Sequence, residues 1–134
     1  MKRLCVVCEG QTEAEFVQRV LAPHLFAYGV QTAPSKLKTR PGAQGGGRVS
    51  VARLARHLRN EYQNFDDLTT LVDYYGFKDR DGRSPEELET AIGEQTRKVL
   101  GVREDRKLLP YVQCHEFEAL LFADIEAFDW LLDA

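Results

Sequence analysis

Arg3-Leu4-Cys5-Val6-Val7-Cys8 is a short β-branched apolar run without helical period, and it stops abruptly at Glu9-Gly10. Such a run reads as a strand buried on both faces, which is the habit of parallel sheets covered by helices. Thr12 and Glu15 have the spacing of a capping box, and Phe16, Val17, Val20 and Leu21 follow at helical intervals. The chain therefore begins as strand, tight turn and helix, with an acid in the turn. Pro23 is expected to bend or restart this helix and Gly29 to end it, with a second extended piece over Val30 to Ala33.

The same alternation continues downstream. Pro34 to Arg48 contains Pro41, Gly42 and Gly45-Gly46-Gly47 without an apolar period, and reads as a loop. Ser50 is placed to cap a helix whose face carries Val51, Leu54, Ala55, Leu58 and Tyr62. Leu68 to Val72 is another β-type run and ends on Asp73, before a loop over Tyr74 to Gly82. Ser84-Pro85-Glu86-Glu87 is a capping box opening a helix with Leu88, Ala91, Ile92 and Val99, closed by Gly101. Leu108 to Cys114 reads as a last strand, and Asp124 can cap a final helix through Leu132. That helix meets no stop signal before Ala134, so the natural chain is expected to continue. Strands alternating with helices predict one α/β domain over residues 1–134, a mostly parallel sheet with helices on both faces.

Composition narrows the class. With 43% hydrophobic and 29% charged residues, 134 residues suffice for one ordinary core, and the apolar runs are too short for a membrane span. The early acid at Glu9 argues against a signal peptide, so the expected location is the cytoplasm. Cys5, Cys8 and Cys114 are an odd number, which argues for reduced thiols. Although Cys5 and Cys8 have Cys-x-x-Cys spacing, residues three apart on a strand face opposite ways, so the two sulfurs cannot converge on one ion.

Three expected strands end on polar or acidic residues: Glu9, Asp73, and the pair His115-Glu116. Ligands of open α/β sheets gather at such carboxyl ends. Carboxylates brought together there repel unless a cation intervenes, and hard oxygen donors suit magnesium or manganese. Glu13, one turn into the first helix, either adds a ligand at this rim or complements the helix dipole. Charge is also segregated. Between Glu15 and Glu61 there is no acid, yet the stretch carries Arg19, Lys36, Lys38, Arg40, Arg48, Arg53, Arg56 and Arg59, so the net charge of −3 hides a dipolar chain. A basic surface of this kind attracts phosphates and would steer a nucleic-acid backbone to the rim; a solvated face paired with acids from elsewhere is the other reading. The glycine run matches neither the Walker nor the dinucleotide pattern, and Asp79-Arg80-Asp81-Gly82 lacks the remaining calcium-loop ligands and reads as a turn. Nothing in the sequence assembles a serine or cysteine nucleophile with a histidine, though the distant His24, His57 and His115 could meet in space.

Three motifs, Val7-Cys8-Glu9-Gly10-Gln11-Thr12-Glu13-Ala14-Glu15-Phe16, Leu71-Val72-Asp73-Tyr74-Tyr75-Gly76-Phe77 and Tyr111 through Phe122, resemble the domain of unknown function 4276 family, whose members look like Toprim domains. The resemblance implies a Toprim-like, Rossmann-like fold in which an acid after the first strand and an Asp-x-Asp after a later one bind magnesium and support phosphodiester chemistry. It carries the first acid onto Glu9 and the leading aspartate onto Asp73, with Glu13 or Glu116 completing the metal shell. Tyr75 occupies the second aspartate position, a departure from the Toprim pattern. What the resemblance implies is a metal-dependent nuclease acting on nucleic acid, an effector of bacterial defence working with a partner ATPase. The alternative is a non-catalytic module that binds nucleic acid or protein through a degenerate site.

Overall fold

A computed structural model describes residues 1–37 and 49–114. β1 (Lys2–Cys8), β2 (Val30–Lys36) and β3 (Asp67–Asp73) form a parallel sheet with the short strands β4 (Leu108–Leu109) and β5 (Val112–Gln113). The order is β2-β1-β3-β4, and β5 also pairs with β3. The expected α/β class with a parallel sheet and helices on both faces is what forms.

Alternation along β1 sorts the two faces. Cys5 and Val7 point into the larger core, built with Leu54 and Leu58 of α3 (Val51–Glu61) and Leu88 and Ile92 of α4 (Pro85–Leu100). Val6 and Cys8 point the other way, toward Ala14 of α1 (Gln11–Phe16) and Val17 of the π-helical segment Val17–Leu21 that follows it. The two cysteines are thus buried on opposite faces, as their spacing requires. Burial removes the water that would solvate their thiolates, and each thiol is pushed up to about 12.

Local signals in the helices mostly act as written. Ser50 Oγ accepts from Arg53 N at 3.2 Å and caps α3. Around α4, Ser84 Oγ accepts from Glu87 N at 3.1 Å while the Glu87 carboxylate accepts from Ser84 N at 3.1 Å, a complete capping box. Gly101 ends α4 at φ 77°, the left-handed conformation a glycine adopts without a Cβ clash. Pro23 restarts the first helix as expected: the π-helical segment ends at Leu21, and α2 (Ala22–Phe26) takes the proline, which has no N–H, in its first turn.

Three expectations are corrected. Thr12 does not cap the first helix. Gly10 takes that place in extended backbone with no side-chain cap, because the helix starts directly at the end of β1 and leaves Thr12 inside its first turn. The second strand does not stop at Ala33 but runs through Pro34 to Lys36, with Val6↔Pro34 and Cys8↔Lys36 in register. Proline is tolerated because β2 lies at the edge of the sheet among the described residues. The single strand expected over Leu108 to Cys114 is interrupted at Pro110-Tyr111, yet keeps its register from Leu68↔Leu108 to Asp73↔Gln113. Pro110 brings no N–H. Beyond it the Tyr111 backbone is held by the Thr70 hydroxyl, which accepts from Tyr111 N at 2.9 Å and donates to Tyr111 O at 2.7 Å. The glycine-rich loop over residues 38–48, the pair His115-Glu116 and the expected C-terminal helix lie outside the described residues. Among the described residues, no helix is long and apolar enough to cross a membrane.

Candidate functional site at the carboxyl rim

The strand order locates the site. From β1 the chain moves outward to β2, and from β3 it moves the opposite way to β4, so the connections diverge between the carboxyl ends of β1 and β3. A crevice opens at such a switch point, since the covering helices on either side lead away from it. Glu9 directly follows β1 and Asp73 is the last residue of β3, so the two flank the switch point.

Glu13 joins them. Its Oε2 lies 3.7 Å from where a Cβ on Gly10 would stand, so its carboxylate folds back over the turn toward β1. On the other side, the chain leaving β3 makes a 3-10 turn over Tyr74–Gly76, and the Glu9 carboxylate packs against Gly76. A Cβ on Gly76 would sit 3.1 Å from Glu9 Oε2 and 3.4 Å from Oε1, so the absence of a side chain admits Glu9 here. The Glu9 carboxyl is pushed up from 4.5 to about 7, first by loss of solvent and then by the negative charges of Glu13 and Asp73. The three acids thus stand within electrostatic reach of one another, and each extra negative charge there is unfavourable.

All of their donor atoms are carboxylate oxygens, the hard donors that magnesium and manganese prefer, and a divalent cation would remove the repulsion felt by Glu9. By these criteria the residues fit such an ion. Among the described residues, however, no three His, Cys, Asp or Glu side chains are gathered tightly enough to hold an ion by themselves. Glu116, named from sequence as a further ligand, lies outside the described residues. The nearest described landmark is Gln113, paired with Asp73 at the end of β5.

The residues expected to bind nucleic acid separate into groups. Lys36 ends β2 beside the rim, where its Nζ donates to Gln11 Oε1 at 2.8 Å. Arg53 belongs to the first turn of α3, and that end of the helix is fastened to the site because Val49 N donates to Gly76 O at 3.0 Å. Arg56 and Arg59 are exposed one and two turns farther from the rim, and among the described residues neither is paired with a carboxylate. Lys38, Arg40 and Arg48 lie outside the described residues. The Asp79 to Gly82 stretch is a turn, with positive φ at Asp81 and Gly82.

One contact had no sequence signal. Ser35 Oγ and His57 Nε2 stand 2.7 Å apart and half-buried, joining the end of β2 to α3. Ser35 was hidden in what read as a loop. Recognising β2 through Lys36, with Ser35 in register with Val7, would have turned it toward the face that α3 covers.

Fold and site together define a parallel α/β protein with a group of acids at its topological switch point. The sequence profile of the domain of unknown function DUF4276 matches residues 8–133, and the chain belongs to that family. No curated protein and no solved structure matches the chain.

Proposed function

We propose that the carboxyl rim is the active site of a metal-dependent nuclease of Toprim type, in which Glu9 and Asp73 hold magnesium or manganese. The observation that carries this reading is the Glu9 carboxyl, half-buried at the switch point and raised to about 7 beside Glu13 and Asp73. Carboxyls raised by burial and by like charges cluster at functional sites. Glu13 or Glu116 would complete the shell. A cation bound there would supply Lewis-acid polarisation of a phosphoryl oxygen and an activated water for phosphodiester hydrolysis. Lys36 and Arg53 flank the rim and would draw in the nucleic-acid backbone, with Arg56 extending the basic track along α3. The wider setting proposed is cytoplasmic, as the effector of a bacterial defence system with a partner ATPase.

The test is cleavage of labelled DNA and RNA by the purified protein with magnesium or manganese. Glu9→Gln and Asp73→Asn should each reduce the rate by about 100-fold or more, and chelator should stop it. Full activity in either variant would overturn the assignment.

Tyr75 at the second aspartate position, together with the looseness of the described carboxylates, favours a second reading: a module that binds nucleic acid or protein without cutting. That reading expects oligonucleotide or partner binding that is indifferent to chelator and no cleavage under any metal.

A further inference from the structure

The 3-10 turn that carries Gly76 against Glu9 also presents an aromatic ring to solvent. Tyr75 is 64% exposed, whereas its neighbour Tyr74 packs against the larger core. Tyr74 is anchored, its hydroxyl donating to Arg83 O at 2.5 Å. Its ring meets that of Tyr75 nearly edge-on, with centroids 5.2 Å apart and planes at 79°. Arg80 completes the group, its guanidinium carbon lying 5.3 Å from the centroid of each ring. Tyr75 is therefore braced by Tyr74 and Arg80, yet most of its surface stays open.

Its address in the chain gives this arrangement meaning. Tyr75 lies two residues after Asp73 and immediately before Gly76, the residue that Glu9 touches. Core packing does not require an aromatic ring there. A flat, braced, electron-rich surface beside a cation, next to a rim suited to a phosphate-bound metal, matches the two halves of a nucleotide: π-face and phosphate.

We propose that Tyr75, braced by Tyr74 and Arg80, is a stacking platform for an unpaired nucleobase adjoining the phosphate held at the Glu9–Asp73 rim. The proposal rests on the nucleic-acid reading above and adds a substrate class, single-stranded or locally unpaired strands. Bases inside a duplex already have both faces stacked, so only a splayed or terminal base can use the platform. The residue that departs from the Asp-x-Asp pattern thereby acquires a role in substrate choice.

The experiment compares binding of a labelled 15-nucleotide single strand with a duplex of equal length, at fixed salt with calcium in place of magnesium, by fluorescence anisotropy. Tyr75→Ala should weaken single-strand binding about tenfold, the size expected for one lost base stack, and Tyr75→Phe should retain wild-type affinity. Duplex binding should change less than about twofold in both. A 2-aminopurine in the single strand should lose fluorescence on binding the wild type and not on binding Tyr75→Ala. If the wild type binds the single strand and Tyr75→Ala binds it equally well, or if single strand and duplex weaken alike, the platform is refuted while nucleic-acid binding stands. Absence of wild-type binding to either substrate would overturn both.

Discussion

At the amino edge of the sheet Asp66, Asp67 and Asp105 meet donors, whereas at the carboxyl edge Glu9, Glu13 and Asp73 confront one another. Arg3 N donates to Asp66 at 2.8 Å, Lys2 pairs with Asp67 at 3.7 Å, and Asp105 accepts from Lys107 N at 3.0 Å and Leu108 N at 2.7 Å while facing Arg97 at 3.5 Å. These contacts position the starts of β1, β3 and β4. At the other edge, burial first and then the negative charges of Glu13 and Asp73 raise the Glu9 carboxyl to about 7. One edge is built to hold the fold together, and the other carries a local cost that a ligand could relieve.

The sharpest way to break this contrast is to remove a carboxylate from each edge. Asp105 has only 2% of its side chain exposed, and Asp105→Ala would strip two backbone N–H groups and Arg97 of their acceptor. The expected loss is about 3 kcal/mol in urea unfolding. A loss below about 1 kcal/mol would mean that the amino edge is not the structural one.

Glu9→Gln should act in the opposite direction, and only in part of the pH range. In the unfolded chain Glu9 loses its proton near 4.5, while the folded chain retains it to about 7. The folded state therefore binds more protons between these values, and wild-type stability falls as pH rises from 4.5 to 7 and stays lower above. Because Glu9 is only half-buried, solvent screening reduces this cost to about 1–2 kcal/mol. Thermal melts should show Glu9→Gln more stable than wild type at pH 8 and equal to it at pH 4. Manganese should narrow the difference at pH 8 by stabilising the wild type. A variant no more stable than wild type at pH 8 would remove the claim that this edge is electrostatically strained.

The two edges also differed in how far sequence could reveal them. Elements governed by local rules were legible: the apolar run of β1, the Ser50 cap, the Ser84–Glu87 box and Gly101. The positions of Glu9 and Asp73 were legible too, one directly after the first buried strand and the other at the end of β3. What escaped was set by neighbours distant in the chain. Pro34 marks a loop by local chemistry, and only the edge position of β2 makes it acceptable in a strand. The break at Pro110 is a local signal, but the shared register on either side of it depends on Thr70, 41 residues from Tyr111, whose hydroxyl holds the Tyr111 backbone. The Ser35–His57 contact depends on both the true end of β2 and the packing of α3. Gly76, too, is an ordinary turn glycine in sequence, and its closeness to Glu9 exists only once β1 and β3 are paired.

That closeness supplies the smallest predicted effect. Gly76→Ala would place a methyl 3.1 Å from Glu9 Oε2, tighter than comfortable contact. Gly76 is absent from the positive-φ glycines, so the backbone accepts alanine, and the neighbour that must yield is the free end of a flexible side chain. Stability should change by less than about 1 kcal/mol. The carboxylate must nevertheless shift by a few tenths of an ångström, and a cation shared with Asp73 would lose part of its coordination, so manganese affinity measured by calorimetry should fall a few-fold. An unchanged manganese titration would assign Gly76 to the turn alone. Weakened binding with unchanged urea unfolding would instead show that this glycine positions Glu9 and adds nothing to the stability of the sheet.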